Sequence, residues 1–115
     1  MSEVDPRAVV SASARIGNGV RIGAFAVVGD GVELGDACIL EPHAVVRGPA
    51  RIGRKNVFDS FCSVGGDPQD LKFSGEHTEL IVGDANRFRE FCTVSRGTTG
   101  GGGVTRIGSD NLFMA

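Results

Sequence analysis

The sequence predicts an all-β fold, a parallel β-helix of triangular coils with two extruded loops. Three observations predict it: an apolar residue at every sixth position, a small residue four positions after each of these, and two stretches where the period stops and then resumes. A six-residue unit is too short for a helical face of period 3.6, but it suits a short strand followed by a corner. Three units would close one coil, and coils would stack by parallel backbone pairing.

The large apolar register runs in steps of six residues and has no exception before the first interruption. Its members are Val4, Val10, Ile16, Ile22, Val28, Leu34, Leu40, Val46, Ile52, Phe58 and Val64. Because only 41% of all residues are hydrophobic, chance would give such a run at odds on the order of one in ten thousand or worse. We therefore expect these side chains to point inward and form the core.

The small register lies four residues after the large one, near the corner of each unit. Its members are Ala8, Ala14, Val20, Ala26, Val32, Cys38, Ala44, Ala50, Asn56 and Cys62, of which only Asn56 is polar. Cys92 occupies the same register after Phe88. All three cysteines are therefore predicted to be buried packing residues. Their odd number and lack of metal-ligand spacing are typical of reduced thiols in the cytosol.

Glycine recurs directly after the large apolar position. With 18 of 115 residues, glycine has about twice its usual share, which here indicates tight turns. The recurring positions are Gly17, Gly23, Gly29, Gly35, Gly53 and Gly65. We expect these glycines, together with nearby polar residues such as Asn18 and Asp36, to supply the bends and positive φ angles at the corners.

Two polar, glycine-rich stretches interrupt the period, at about 65–80 and 96–105. The sequence predicts one β-helix domain over 1–115 with a loop at each interruption. Insertions in repeat proteins often cluster on one face, and that face often binds a ligand; the alternative is that both are tolerated surface loops. The repeat stops half-way through a unit at Ala115 without a cap, so we expect the chain to be truncated there.

Composition excludes several classes of function. The net charge of −2 offers no basic surface for nucleic acid. No apolar run is long enough to span a membrane, and the first residues do not form a signal peptide, so we expect a soluble, cytoplasmic protein. The run Gly100–Gly103 lacks the Lys and Ser/Thr of a nucleotide-binding P-loop. No cofactor is expected.

Few residues are candidates for chemistry. His43 precedes a small-register position and is predicted to point outward, and His77 lies in the first loop. Neither belongs to a cluster of converging ligands, so no metal site is predicted. Asp70 and Lys72, two residues apart in the first loop, are either a solvated ion pair or substrate contacts.

Both interruptions carry specific motifs. The segment IGRKNVFDSFCSVGGDPQDLKFSGE spans 52–76, and VGDANRFREFCTVSRGTTGGGGVTRIGSDNLFM spans 82–114. In text and position these segments resemble the N-terminal portion of the acyl-carrier-protein-dependent UDP-N-acetylglucosamine O-acyltransferases, hexapeptide-repeat acyltransferases that start lipid A biosynthesis. The motifs are far more specific than the hexapeptide period, which many unrelated enzymes share.

The resemblance implies left-handed winding and transfer of an (R)-3-hydroxyacyl group. Acyl carrier protein would carry the acyl group as a thioester, and the 3-hydroxyl of UDP-N-acetylglucosamine would accept it. Gln69, Asp70 and Lys72 match a loop lining the substrate cleft, whereas Ser95 stands where the family often has His. The resemblance also implies a homotrimer and a histidine general base beyond Ala115. The 115-residue chain alone is therefore predicted to bear no catalytic residue and to be inactive.

Three alternatives stay open. A structural solenoid or pseudo-enzyme would need no catalytic base, although it would leave both motifs unexplained. The N-acyltransferase acting later in the same pathway shares the repeat but resembles a protein with a separate preceding domain, whereas the repeat here begins at Val4. A γ-type carbonic anhydrase would need three converging histidines for zinc, and this chain has two.

Overall fold

The computed structural model describes residues 2–67, 77–97 and 103–115. Over these residues the chain winds as a left-handed parallel β-helix of short strands joined by tight corners. The strands are β1 (Glu3–Val4), β2 (Val9–Val10), β3 (Arg15–Ile16), β4 (Arg21–Ile22), β5 (Val27–Val28), β6 (Val32–Leu34), β7 (Ile39–Leu40), β8 (Val45–Val46), β9 (Ala50–Ile52), β10 (Val57–Phe58), β11 (Ser63–Gly66), β12 (Glu79–Val82), β13 (Arg87–Phe88), β14 (Thr93–Ser95), β15 (Val104–Ile107) and β16 (Leu112–Phe113).

The strands form three parallel sheets that make the three sides of the triangular coils. The first sheet has the order β1-β4-β7-β10-β13-β16, the second β14-β11-β8-β5-β2 and the third β15-β12-β9-β6-β3. Val10 pairs with Val28 and Val28 with Val46, so each coil takes up three repeats. The predicted fold class, with three units in each coil, is confirmed.

The insertions lengthen a coil without changing its register. Ile52 pairs with Val82, so the first insertion makes its coil two repeat lengths longer than the ordinary three repeats. Val82 pairs with Ile107, so the second insertion adds slightly more than one repeat length to its own coil. Because each strand resumes opposite the matching residue below it, the large apolar positions stay above one another on both sides of each insertion.

The core consists of the two predicted registers. From Val20 to Val64 their side chains are buried. The first coil differs, because it has a neighbour on only one side within the described residues; Val4 is 45% exposed there. Phe58, Phe88 and Phe113 stack in the large register with ring centroids 4.9 and 5.0 Å apart and nearly parallel planes.

The expectation that the recurring glycines supply positive φ is wrong for Gly17, Gly23, Gly29, Gly35 and Gly53; of that set only Gly65 has a positive φ, 85°. Gly17, Gly23, Gly35 and Gly53 are needed for close approach instead, because an added Cβ at each would lie within 3 Å of an atom of a neighbouring coil. A Cβ on Gly35 would lie 2.6 Å from the backbone of Gly53 in the next coil. The left-handed corner residues are Gly19, Gly31, Phe25, Ala37, His43, Lys55, Phe61, Ala85, Phe91 and Asp110.

Candidate functional site

The ends of both insertions meet at one corner of the solenoid, between the second and third sheets. The chain leaves the second sheet after β11 and after β14, and these two strands pair with each other. It returns to the third sheet at β12 and β15, which also pair. We call the residues at these ends, 65–67, 77–79, 96–97 and 103–104, the loop stems. Both insertions therefore leave and re-enter the solenoid at a single corner.

Arg96 holds three of the four loop stems together. Its Nη1 donates to the Gly65 carbonyl oxygen at 2.8 Å, and its Nη2 donates to Asp67 Oδ1 at 2.7 Å. Its Nε lies 3.2 Å from Thr78 Oγ1, which accepts a hydrogen bond. The backbone N–H of Arg96 donates to the Gly66 carbonyl at 2.9 Å. Only 8% of the Arg96 side chain is exposed.

The remaining stem contacts are made by the backbone, and glycine makes them possible. The Glu79 N–H donates to the Gly103 carbonyl at 2.9 Å, joining the two returning stems. A Cβ on Gly97 would lie 2.6 Å from the backbone of Val104, so only glycine fits between the exit and return of the second insertion. A Cβ on Gly65 would strike the Arg47 carbonyl oxygen.

The loop stems also concentrate charge. Asp67 lies between two guanidinium groups, with Arg96 Nη2 at 2.7 Å and Arg47 Nη2 at 3.8 Å. Arg96 is buried, whereas about half of the Arg47 side chain is exposed. An arginine stays charged when buried, so it requires a carboxylate or several acceptors nearby. Arg96 has both, since the Asp67 carboxylate, the Gly65 carbonyl and the Thr78 hydroxyl all accept hydrogen bonds from it.

The site residues predicted from the resemblance fall largely outside the described residues. Gln69, Asp70 and Lys72 lie in 68–76 and so have no described position. His77, the first described residue after them, is exposed. Ser95 ends β14 directly before Arg96 and is half-buried. Gly66 pairs with Ser95, so the exit of the first insertion lies beside Ser95.

His43 is exposed, as predicted, but it lies on a different corner and has a role in packing. Its ring stacks between Phe25, at 5.2 Å, and Phe61, at 5.0 Å, and Phe61 stacks in turn on Phe91 at 5.9 Å. Arg7 covers the outer face of Phe25 at 5.3 Å. Sequence reasoning missed this aromatic column, although its first three rings recur at intervals of three repeats.

The cysteines are buried and free, which agrees with their predicted packing role. Burial raises the pKa of the Cys62 thiol to about 12, and burial also raises the pKa of Cys38 and of Cys92. A thiol held in its neutral form is a poor nucleophile.

Within residues 2–67, 77–97 and 103–115, no three His, Cys, Asp or Glu side chains converge as a metal site would require, and no helix is both long and apolar enough to span a membrane. A surface groove of about 720 Å³ lies over the first coils, is lined by residues between Ser2 and Pro42, and does not reach the loop stems.

Comparison with known proteins gives one consistent result. The bacterial transferase hexapeptide (six repeats) family matches residues 13–48. The acyl-(acyl-carrier-protein)–UDP-N-acetylglucosamine O-acyltransferase of Xanthomonas euvesicatoria pv. vesicatoria is 48% identical over 112 residues, which are 97% of this chain and 43% of that relative. The protein of the same name from Xanthomonas axonopodis pv. citri is 47% identical over the same shares of the two chains.

Solved structures agree. The UDP-N-acetylglucosamine O-acyltransferase of Moraxella catarrhalis superposes with a TM-score of 0.92 at 41% identity, over 96% of this chain and 43% of that one. The UDP-N-acetylglucosamine acyltransferase of Francisella novicida has the same TM-score of 0.92 at 34% identity, over 97% of this chain and 41% of that one. The chain thus spans less than half the length of the relatives that it matches.

Proposed function

We propose that this chain is the N-terminal portion of an acyl-(acyl-carrier-protein)–UDP-N-acetylglucosamine O-acyltransferase, because it is 48% identical to such a protein over the 43% of that protein's length that it spans and superposes on a solved structure of that class with a TM-score of 0.92. The enzyme would transfer an (R)-3-hydroxyacyl group from acyl carrier protein to the 3-hydroxyl of UDP-N-acetylglucosamine, the first step of lipid A biosynthesis. The observation that carries the proposal is the convergence of both motif-bearing insertions at the loop stems.

The proposed reaction is an acyl transfer. The sugar hydroxyl attacks the thioester carbon, a C–O bond replaces the C–S bond, and the carrier thiol leaves. A general base takes the hydroxyl proton, and a histidine with a pKa near 7 suits that task. We place this histidine beyond Ala115, so the chain itself contributes substrate contacts and no base.

Gln69, Asp70 and Lys72 are the proposed substrate contacts. An ammonium group favours the diphosphate of a UDP-sugar, and carboxylate and amide groups suit sugar hydroxyls. Their segment connects two stems that are held in place by buried hydrogen bonds. Fixing both ends of a segment reduces the conformational entropy that the segment has left to lose when a ligand binds.

The assembly and location of the whole enzyme belong to the same proposal. We infer a homotrimer in which neighbouring solenoids form the cleft, working in the cytoplasm on a soluble acyl carrier protein. The similarity to the Xanthomonas O-acyltransferases supports this inference. Sedimentation of the native gene product would check the trimer, and a monomeric product would contradict it.

The test of the activity is an acyl-transfer assay on the native gene product, preceded by its intact mass. We expect Lys72→Ala to raise the KM for UDP-N-acetylglucosamine at least tenfold, equivalent to about 1.4 kcal/mol of lost binding. Lys55→Ala, at the only other lysine, is the matched control and should stay within twofold. A folded gene product that transfers no acyl group to the UDP-sugar would overturn the proposal.

A further inference from the structure

We propose that Arg96 is a positioning residue, whose buried guanidinium clasps the loop stems and so fixes the points at which the insertions leave and re-enter the solenoid. The consequence for substrate binding rests on the proposed function, whereas the clasp itself stands on the contacts alone. Arg96 belongs to neither core register, and its side chain lies at the corner from which both insertions depart.

The side chain of Arg96 bonds to both ends of the first insertion, and the stacking of the coils does not require these contacts. Nη1 and Nη2 bond the exit of the first insertion through Gly65 and Asp67, and Nε bonds its return through Thr78. Arg96 itself is the exit of the second insertion. One planar group thus ties together the two ends of the first insertion, at Asp67 and Thr78, and couples them to the other insertion.

Arginine suits this role because its donors form a rigid, planar fork. Three different acceptors lie around one guanidinium at 2.7 to 3.2 Å, so all of its nitrogen atoms are engaged. A lysine in the same place would be a point charge with one flexible stem, and could not keep the same directions to three acceptors. The Asp67 carboxylate balances the buried charge of Arg96. Without it, the cost of burying the guanidinium would destabilise the contacts among the loop stems.

Thr78 holds the return of the first insertion on the Arg96 guanidinium. It is a buried polar residue, 1% exposed, at the return of the first insertion. Its hydroxyl accepts from Arg96 Nε, and its neighbours Glu79 and Leu80 donate backbone hydrogen bonds to Gly103 and Pro49. Loss of the Arg96 contact would therefore free the Thr78 side chain and make residues 77–79 more mobile. The backbone hydrogen bonds that pair β12 with its neighbouring strands would stay in place.

The first measurement is hydrogen exchange on the native gene product, wild type against Arg96→Ala. We expect at least tenfold faster amide exchange in residues 65–67 and 77–79 and unchanged exchange in β4 to β8. Arg15→Ala, an exposed arginine on β3 far from the loop stems, is the control. A purely structural role would accelerate exchange throughout the solenoid, and unchanged exchange at the loop stems would overturn the clasp.

The second measurement is steady-state acyl transfer. Arg96→Ala should raise the KM for UDP-N-acetylglucosamine at least tenfold with a smaller change in kcat, and Arg96→Lys should recover only part of the loss. Thr78→Val removes one bond of the clasp and should be intermediate in both measurements, which keeps the test open if Arg96→Ala does not fold.

The two proposals fail in different ways. If the wild-type product transfers no acyl group but exchange changes at the loop stems, the proposed function fails and the clasp stands. If the wild-type product is active and Arg96→Ala leaves KM unchanged despite faster exchange, the clasp has no positioning role and the inference is wrong.

Discussion

At the scale of single residues, the buried thiols link the stability of the chain to pH. Burial, the largest cause, raises the pKa of Cys62 from an ordinary value of 9.0 to about 12, because the charged thiolate is disfavoured away from water. The folded chain therefore keeps the Cys62 proton over a range in which the unfolded chain has already lost it. Ionisation favours the unfolded state between those two pH values.

We accordingly expect the free energy of unfolding to fall as pH rises from 9 towards 12, by up to about 1.4 kcal/mol per pH unit from Cys62. Below pH 9 this contribution is fully present. Urea unfolding at pH 7, 9 and 10.5 would measure it, and Cys62→Ala should flatten the decline. Cys38 and Cys92, whose pKa values burial also raises, should account for part of the decline that remains in the variant. The chain has no tyrosine and only two lysines, so few groups besides the thiols titrate there. Equal slopes for wild type and variant would contradict the assignment.

At the scale of strands and corners, an internal asparagine ladder replaces the small apolar residue of the earlier coils. Asn56 Nδ2 donates to the Gly83 carbonyl at 2.8 Å, and Asn56 Oδ1 accepts from the Asn86 N–H at 2.9 Å. Asn86 repeats both bonds one coil later, to Gly108 and Asn111. The ladder satisfies backbone groups that the corner leaves without partners.

Asn56→Ala should therefore destabilise the chain by about 2–4 kcal/mol, because it leaves a buried N–H and a buried carbonyl unsatisfied. Cys38→Ala, in the same register one coil earlier, is the control and should cost about 1 kcal/mol or less, because a thiol makes only a weak hydrogen bond there. Chemical denaturation monitored by circular dichroism would compare them. Equal losses would mean that the ladder contributes no more than its packing volume.

The ladder also shows where prediction from sequence ends at this scale. The period of six determines which positions point inward, because strand alternation is local, and burial from Val20 to Val64 follows it. The spacing between coils determines which corner carbonyls lack hydrogen-bond partners, and that spacing cannot be read from the sequence. From the sequence alone, Asn56 is therefore only an unexplained polar residue in the small apolar register. For the same reason, the aromatic column around His43 becomes visible only when residues three repeats apart are stacked.

At the scale of the whole molecule, the sequence predicts the two insertions but not how their ends come together. Interruptions of the period mark both insertions, since an interrupted register requires a loop. That the loop stems share one corner follows only from the pairing of β11 with β14 and of β12 with β15. Arg96 carries no distinguishing sequence signal of its own, because the partners of its side chain are distant in the sequence and come close only when the coils stack.

Coil stacking itself can be tested through two glycines that occupy the same position in different coils. A Cβ on Gly35 would lie 2.6 Å from the Gly53 backbone, so Gly35→Ala must push two coils apart and should cost about 1–3 kcal/mol. A Cβ on Gly108 would have no neighbour within 4 Å among the described residues. Gly108→Ala should therefore be neutral, or stabilising by about 0.4–1 kcal/mol through the unfolded state.

Thermal unfolding of the 115-residue chain would compare the two variants directly, and a loss at Gly108 equal to that at Gly35 would contradict the stacking argument. The same substitution then becomes a probe of the native gene product. If a further coil stacks on the last described coil in the native gene product, Gly108→Ala should destabilise it by as much as Gly35→Ala does. The added Cβ would then lie against the backbone of that further coil. If Gly108→Ala stays neutral, no coil covers that corner, and the proposed position of the catalytic base beyond Ala115 would have to be abandoned.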